Sequence, residues 1–260
     1  MVLTLLTTLL LTVACTDHRD TTSAADNSTA TPLRVKVLDV LPHDSESFTQ
    51  GFELADGTLY EGTGIRGESA IMAGPPGQPP QTRVELSDDL FGEGITVVDD
   101  RVWQLTWQAG IAIERDRDTL TELDRTRYSG EGWGVCYQSA QDRLVTSDGS
   151  ATLTFREPES FAALGETTVR HAGEPVQRLN ELECVDDTVY ANVWQRDTIM
   201  RIEPDSGRVS ATIDASGLLS ATEREHADVL NGIAATDSGE FLLTGKYWPK
   251  TFRVRFVPEP

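Results

Sequence analysis

Helical periodicity is weak throughout this 260-residue sequence, which argues against a helical bundle or an alternating α/β layer. Basic runs are missing too. The chain has 42 acidic side chains against 22 basic ones and a formal net charge of −20. Such a surface repels nucleic acid and anionic lipid, so nucleic acid is excluded as a partner. The only histidines are His18, His43, His171 and His226, and none stands at zinc-ligand spacing with another histidine or a cysteine. The apolar run that follows Met1 is too short to span a membrane comfortably.

That run has the length of a signal-peptide core. Residues 1–14 carry no charged side chain and end Leu11-Thr12-Val13-Ala14-Cys15. This resembles a bacterial lipoprotein cleavage box, with Thr12 in place of the usual aliphatic residue and without a basic segment before it. The expectation is a signal peptide over 1–14, a lipid on Cys15 and a polar tether over 15–32. A single domain over 33–260 then follows, with folding from about Leu33. The protein is expected to be exported, held to the membrane only through that lipid or freely secreted, and monomeric. With 38% hydrophobic and 25% charged residues, 21 Gly and 12 Pro, the remainder suits one turn-rich globular domain.

Five segments share a plan. They open with Phe48-Thr49-Gln50-Gly51-Phe52, Phe91-Gly92-Glu93-Gly94-Ile95, Gly130-Glu131-Gly132-Trp133-Gly134-Val135, Leu179-Asn180-Glu181-Leu182-Glu183 and Leu230-Asn231-Gly232-Ile233-Ala234. Each opening runs into a short apolar strand, an Asp, Asn or Gly turn, and a second strand of β-branched or aromatic residues. A period of about 40 to 50 residues with several short strands per unit is the signature of propeller blades. The fold expected is all-β, a five-bladed β-propeller behind the leader; a β-sandwich of equal strand count is the alternative, disfavoured by the regular period. Residues 201–209 read as a hairpin, 218–227 as a short helix in a loop, and 73–81, with four prolines, as an irregular loop between the first two blades.

In a propeller the opening loops converge on one mouth. That would gather Phe48, Gln50, Phe91, Glu93, Trp107, Trp133, Asn180, Trp194 and Lys246 around a single pocket. Glu93 stands between Gly92 and Gly94, which are expected to turn the backbone sharply and leave the carboxylate uncrowded. Converging indoles, amides and one carboxylate are what a ligand pocket needs.

The stretches FTQGFE, LYEGTG, FGEGIT, QLTW, GEGWG, SDGS, LNELE, ANVW, LNGIA and TGKYWP together resemble the plant- and bacterial-type glutaminyl-peptide cyclotransferases over roughly residues 45–257. The resemblance implies a five-bladed propeller without a catalytic metal. It implies peptides or proteins with N-terminal glutamine as substrates, converted to pyroglutamate with release of ammonia. It makes Glu93 the proton-transfer residue and the other eight residues the pocket. The chemistry asks for such a set: one carboxylate takes the α-amine proton and returns one to the leaving nitrogen. A donor such as the Gln50 or Asn180 amide or an indole N–H would hold the charge on the γ-oxygen.

Cys136 and Cys184 follow openings of adjacent blades and are expected to form a disulfide in an oxidising compartment. Glu181 and Glu183 alternate along a strand, so one of them is expected in the channel, where a structural calcium is a possible occupant. Asp148-Gly149-Ser150 reads as a polar turn. Two other functions remain open at this level: a non-catalytic propeller that binds peptides or partners, and a metal-dependent lactonase-like hydrolase, which needs a carboxylate and Asn cage.

Overall fold

The computed structural model describes residues 29–259. The leader, Cys15 and His18 lie outside them, as does most of the expected tether. The first strand, β1 (Thr31–Pro42), opens slightly ahead of Leu33. Three antiparallel four-stranded sheets follow. The first holds β2 (Thr49–Ala55), β3 (Thr58–Thr63), β4 (Ala70–Gly74) and β5 (Thr82–Glu85). The second holds β6 (Gly92–Val98), β7 (Arg101–Thr106), β8 (Ile111–Asp116) and β9 (Glu122–Arg127). The third holds β10 (Val135–Gln138), β11 (Arg143–Ser147), β12 (Thr152–Arg156) and β13 (Ala163–Thr168).

The remaining strands join one ten-stranded sheet. After the short β14 (Arg170–His171) and β15 (Glu174–Pro175) come β16 (Leu179–Val185), β17 (Thr188–Val193), β18 (Thr198–Glu203) and β19 (Arg208–Asp214). A one-turn helix, α1 (Ala221–Arg224), precedes β20 (Leu230–Ala235), β21 (Phe241–Gly245) and β22 (Lys250–Pro258). The path β16-β17-β18-β19-β1-β22-β21-β20 brings its two end strands alongside each other. Within it β1 pairs antiparallel with β22 and parallel with β19.

Local chemistry explains the hairpins. Asp56, Asp99, Asp142 and Asp186 take φ near +50° between the first and second strands of four units, a conformation Asp tolerates better than most residues. The hairpin at 201–209 and the helix within 218–227 are present. The proline-rich stretch differs from expectation. It links β4 to β5 inside the first sheet, because Ala70–Gly74 is buried and pairs with both neighbours.

Apolar faces of successive sheets pack on one another. Tyr60 and Ile71 meet Ile95 and Val102; Trp103 and Leu105 meet Val135 and Leu144; Val145 and Leu153 meet Leu179 and Val189. Ile199 and Ile213 meet Leu230 and Leu243, and Phe52 meets Ala234 and Leu242. Each such fully buried side chain contributes about 1.5–3 kcal/mol. The first strands abut in the cycle β2, β6, β10, β16, β20 and back to β2. A disulfide joins Cys136 of β10 to Cys184 of β16, with Cα atoms 5.4 Å apart.

Glu181 and Glu183 correct the expectation that only one would turn inward. Residues two apart share a face of a strand, and both are buried. Glu181 Oε2 accepts the Ile233 N–H at 3.0 Å. Among the described residues no group of three or more His, Cys, Asp or Glu is placed to hold a metal ion.

Candidate active site

Four of the five first strands carry an irregularity near their start. The register shifts between Thr49 and Gly51, Gly92 and Ile95, Leu179 and Leu182, and Leu230 and Ile233. A bulge re-aims the side chain it contains. The residues caught in these bulges include Gln50, Glu93, Asn180 and Asn231. The second strands end at the same mouth. One residue beyond those ends stand Gly64, Trp107, Asp148, Trp194 and Lys246. Two beyond stand Ile65, Gln108, Gly149, Gln195 and Tyr247, all with φ between 58° and 81°.

One cavity of about 330 Å³ opens there. All nine residues expected around a pocket line it: Phe48, Gln50, Phe91, Glu93, Trp107, Trp133, Asn180, Trp194 and Lys246. Asp228 is a tenth, missed in the sequence, although it stands two residues ahead of the opening at Leu230. The rings meet edge to face: Phe48 on Phe91 at 6.0 Å, Phe91 on Trp107 at 5.5 Å, Trp133 on Trp194 at 5.8 Å. Two cross-loop bonds hold Lys246 beside Phe48. Tyr247 N–H donates to Ser47 O at 2.8 Å and His43 N–H to Pro249 O at 3.1 Å. Lys246 Nζ then lies 4.5 Å from the Phe48 centroid.

Gly92 and Gly94 are needed for a reason other than a sharp turn. Neither has positive φ. A Cβ on Gly92 would lie 2.5 Å from Thr63 O, and one on Gly94 2.7 Å from Trp133 O. Their role is close approach of β6 to the end of β3 on one side and to the segment leading into β10 on the other, with Glu93 between them in the wall of the cavity. Glu93 is 4% exposed. Its Oε1 accepts the Gln50 amide at 3.1 Å, and Gln50 Oε1 in turn accepts from Asn231 at 3.3 Å. Glu93 Oε2 and Asn180 Oδ1 have no partner among the described residues. Buried orphan acceptors of this kind are unfavourable unless a ligand donates to them.

Charge in the cavity is sparse. Burial pushes the Glu93 carboxyl well above its ordinary 4.5; Lys246 opposes that shift and Glu131 adds to it. Burial lowers the Lys246 ammonium, while Glu93 and Asp228 support its charge. Lys246 is the only basic side chain lining the cavity among the described residues. The indole N–H groups of Trp107 and Trp133 are already committed, at 3.0 and 3.1 Å, to Glu131 Oε2. Neither is free to hold a developing oxyanion. One of the two Gln50 amide N–H groups is committed to Glu93. Lys246, Trp194 and Asn180 remain as donors to a ligand. The Asp148-Gly149-Ser150 turn is closed on itself, Ser150 Oγ donating to Asp148 Oδ1 at 2.6 Å.

A basic group poised to take a proton, donors opposite and aromatic walls form a site suited to an intramolecular attack on a carbonyl. Known proteins agree with that chemistry. Residues 6–256 match the family model described as glutamine cyclotransferase. The chain is 34% identical over 229 residues to the glutaminyl-peptide cyclotransferase of Arabidopsis thaliana, covering 85% of this chain and 71% of that protein. It superposes on the crystal structure of Myxococcus xanthus glutaminyl cyclase with a TM-score of 0.79 and 35% identity, over 89% of this chain and all of that one.

Proposed function

We infer that this chain, which belongs to the glutamine cyclotransferase family, acts as an enzyme that converts N-terminal glutamine of peptides into pyroglutamate and releases ammonia. The observation that carries the reading is Glu93: buried, raised in pKa, pinned through Oε1 by Gln50 and without a hydrogen-bond partner at Oε2 among the described residues.

Glu93 Oε2 takes a proton from the substrate α-amine. The freed nitrogen pair attacks the carbonyl carbon of the side-chain amide, and the new C–N bond closes a five-membered ring. The γ-oxygen gains charge, which the Lys246 ammonium and the Trp194 or Asn180 N–H groups are placed to hold. Glu93 returns its proton to the amide nitrogen, the old C–N bond breaks and ammonia leaves. Phe48, Phe91, Trp107, Trp133 and Trp194 hold the side chain curled over the amine and exclude water, so that proximity supplies much of the rate. The test is incubation with a Gln-initiated peptide. One ammonia and one pyroglutamyl product per turnover support the reading; a bound but unchanged peptide refutes it in favour of a binding module.

The sheets read as five blades: three separate, and two from the antiparallel halves β16 to β19 and β20 to β22 with β1. Support comes from the closed cycle of first strands and from the left-handed residue two positions beyond each second strand. The domain runs from about residue 33 to 260, behind a signal segment and a tether, and works as an exported monomer anchored through a lipid on Cys15. The mass of the mature N-terminus tests the anchor, and cleavage elsewhere without lipid defeats it.

A further inference from the structure

We propose that Glu131 is a positioning residue for the cyclisation, one carboxylate oxygen clamping the indoles of Trp107 and Trp133 so that two walls of the glutamine pocket move as one. The proposal rests on the cyclisation reading above.

The geometry is specific. Trp107 follows the second sheet's β7, and Trp133 precedes the third sheet's β10. Their side chains come from different sheets, yet both indole N–H groups donate to the same atom, Glu131 Oε2. An indole N–H is donor only and cannot pair with a second indole. A shared acceptor is therefore what ties the two indoles, one packed on Phe91 and the other on Trp194, to each other. The backbone is built for this. Gly130 and Gly132 flank Glu131 with φ of +109° and +70°, and a Cβ on Gly132 would fall 1.7 Å from the Tyr128 hydroxyl. The same loop touches the reacting strand: Gln108 N–H donates to Glu131 O at 2.9 Å, and Gly94 N–H, next to Glu93, donates to Trp133 O at 2.7 Å. Gly-Glu-Gly thus occurs twice in this chain. The second copy aims the walls, as the first places the base.

A charge so placed also bears on Glu93. The groups facing Glu93 are Lys246 from the β21–β22 turn, Glu131 from the loop before β10, Tyr128 from the loop after β9, and the neutral Gln50 of β2. Glu131, held ionised by its two indole donors, opposes ionisation of Glu93. Removing its charge moves the Glu93 titration down in pH.

Two variants separate clamp from charge. Glu131→Gln keeps an oxygen that accepts both indoles and loses the charge; Glu131→Ala loses both. With a Gln-initiated peptide, Glu131→Ala is expected to raise KM about tenfold or more, as misplacement of positioning groups does. Glu131→Gln restores KM to near the parent value but shifts the acid limb of kcat/KM to lower pH. Independently of turnover, ¹⁵N-indole spectra should show the Trp107 and Trp133 N–H signals, assigned through Trp→Phe variants, moving upfield in Glu131→Ala and much less in Glu131→Gln. Folded Glu131→Ala with parent KM and unmoved indole signals overturns the proposal, as does a pair of variants that lose only thermal stability. Should Glu131→Ala not fold, an unmoved acid limb in Glu131→Gln overturns it alone. An inactive parent enzyme would instead defeat the cyclisation reading, and the indole spectra would still judge the clamp.

Discussion

Gln50 and Glu93 belong to different sheets, yet the amide of the first donates to Oε1 of the second across 3.1 Å. That single bond orients the base, since a carboxylate held at one oxygen offers the other in a fixed direction. Gln50 is itself held by Asn231. The base is therefore positioned from three sheets' worth of strands.

Glu93→Gln keeps the shape of the side chain and removes its basicity. Turnover should fall by about 10²–10⁴ while KM changes little. Steady-state constants with a melting curve decide it; a folded variant with parental kcat removes Glu93 from the mechanism.

Lys246→Met removes the cation that lines the cavity. Loss of an oxyanion donor should lower kcat by about 10²–10³. Because the Lys246 charge pulls the Glu93 carboxyl down, its removal should also move the acid limb of kcat/KM to higher pH, opposite to Glu131→Gln. An unmoved limb would separate Lys246 from Glu93.

Stability should respond to pH against the usual direction. Burial raises Glu53 from 4.5 to about 7 and lifts Glu93, Glu181 and Glu183 well above 4.5. The folded chain then keeps protons that the unfolded chain releases. This contribution is complete below the ordinary value and is lost as pH rises through the folded values. Glu223, drawn down to about 2 by Lys250 and Ser220, works the other way and loses its contribution in strong acid. Melting temperature should therefore rise as pH is lowered from about 8 to about 5.5, although turnover falls over the same range. A melting temperature that drops steadily across that interval would contradict the buried-carboxylate account.

The Cys136–Cys184 bond closes a 48-residue separation between adjacent first strands. Replacing both by serine should cost about 2–4 kcal/mol, read as a lower melting temperature with kcat nearly intact. Two alkylatable thiols in protein from an oxidising compartment would disprove the pairing in solution.

Turnover should survive prolonged chelation, since the donors that would form a metal cage are not assembled among the described residues. Activity lost to a chelator and restored by zinc alone, with the melting curve unchanged, would require a different mechanism.

The pocket was legible because its residues sit in five similar openings and strand ends, and similarity along a chain becomes proximity when the first strands close a cycle. The Asp turns and second strands were legible for the same local reasons. Other features depend on contacts that no window of sequence contains. Gly92 and Gly94 looked like turn residues, yet what they avoid is Thr63 O at the end of β3 and Trp133 O ahead of β10. Asp228 fell outside the expected pocket because a loop ahead of the fifth opening places it, and Glu131, though part of the third opening, stood out only once Trp107 of another unit was seen to share it with Trp133. Only one of Glu181 and Glu183 was expected inward; both are buried because the groups around them, Glu53 of β2 and Ile233 of β20, come from strands distant in sequence.

The pairing of β1 with both β19 and β22 sets an order in time. The ribosome makes β1 first and β22 last, so the earliest strand must wait, with an open edge, for nearly the whole chain to emerge. Until Lys250–Pro258 arrives the last sheet lacks a member, and the cycle of first strands has no stable closure. The active pocket, which needs all five first strands around it, is therefore completed only when the last strand of the chain has paired with the first.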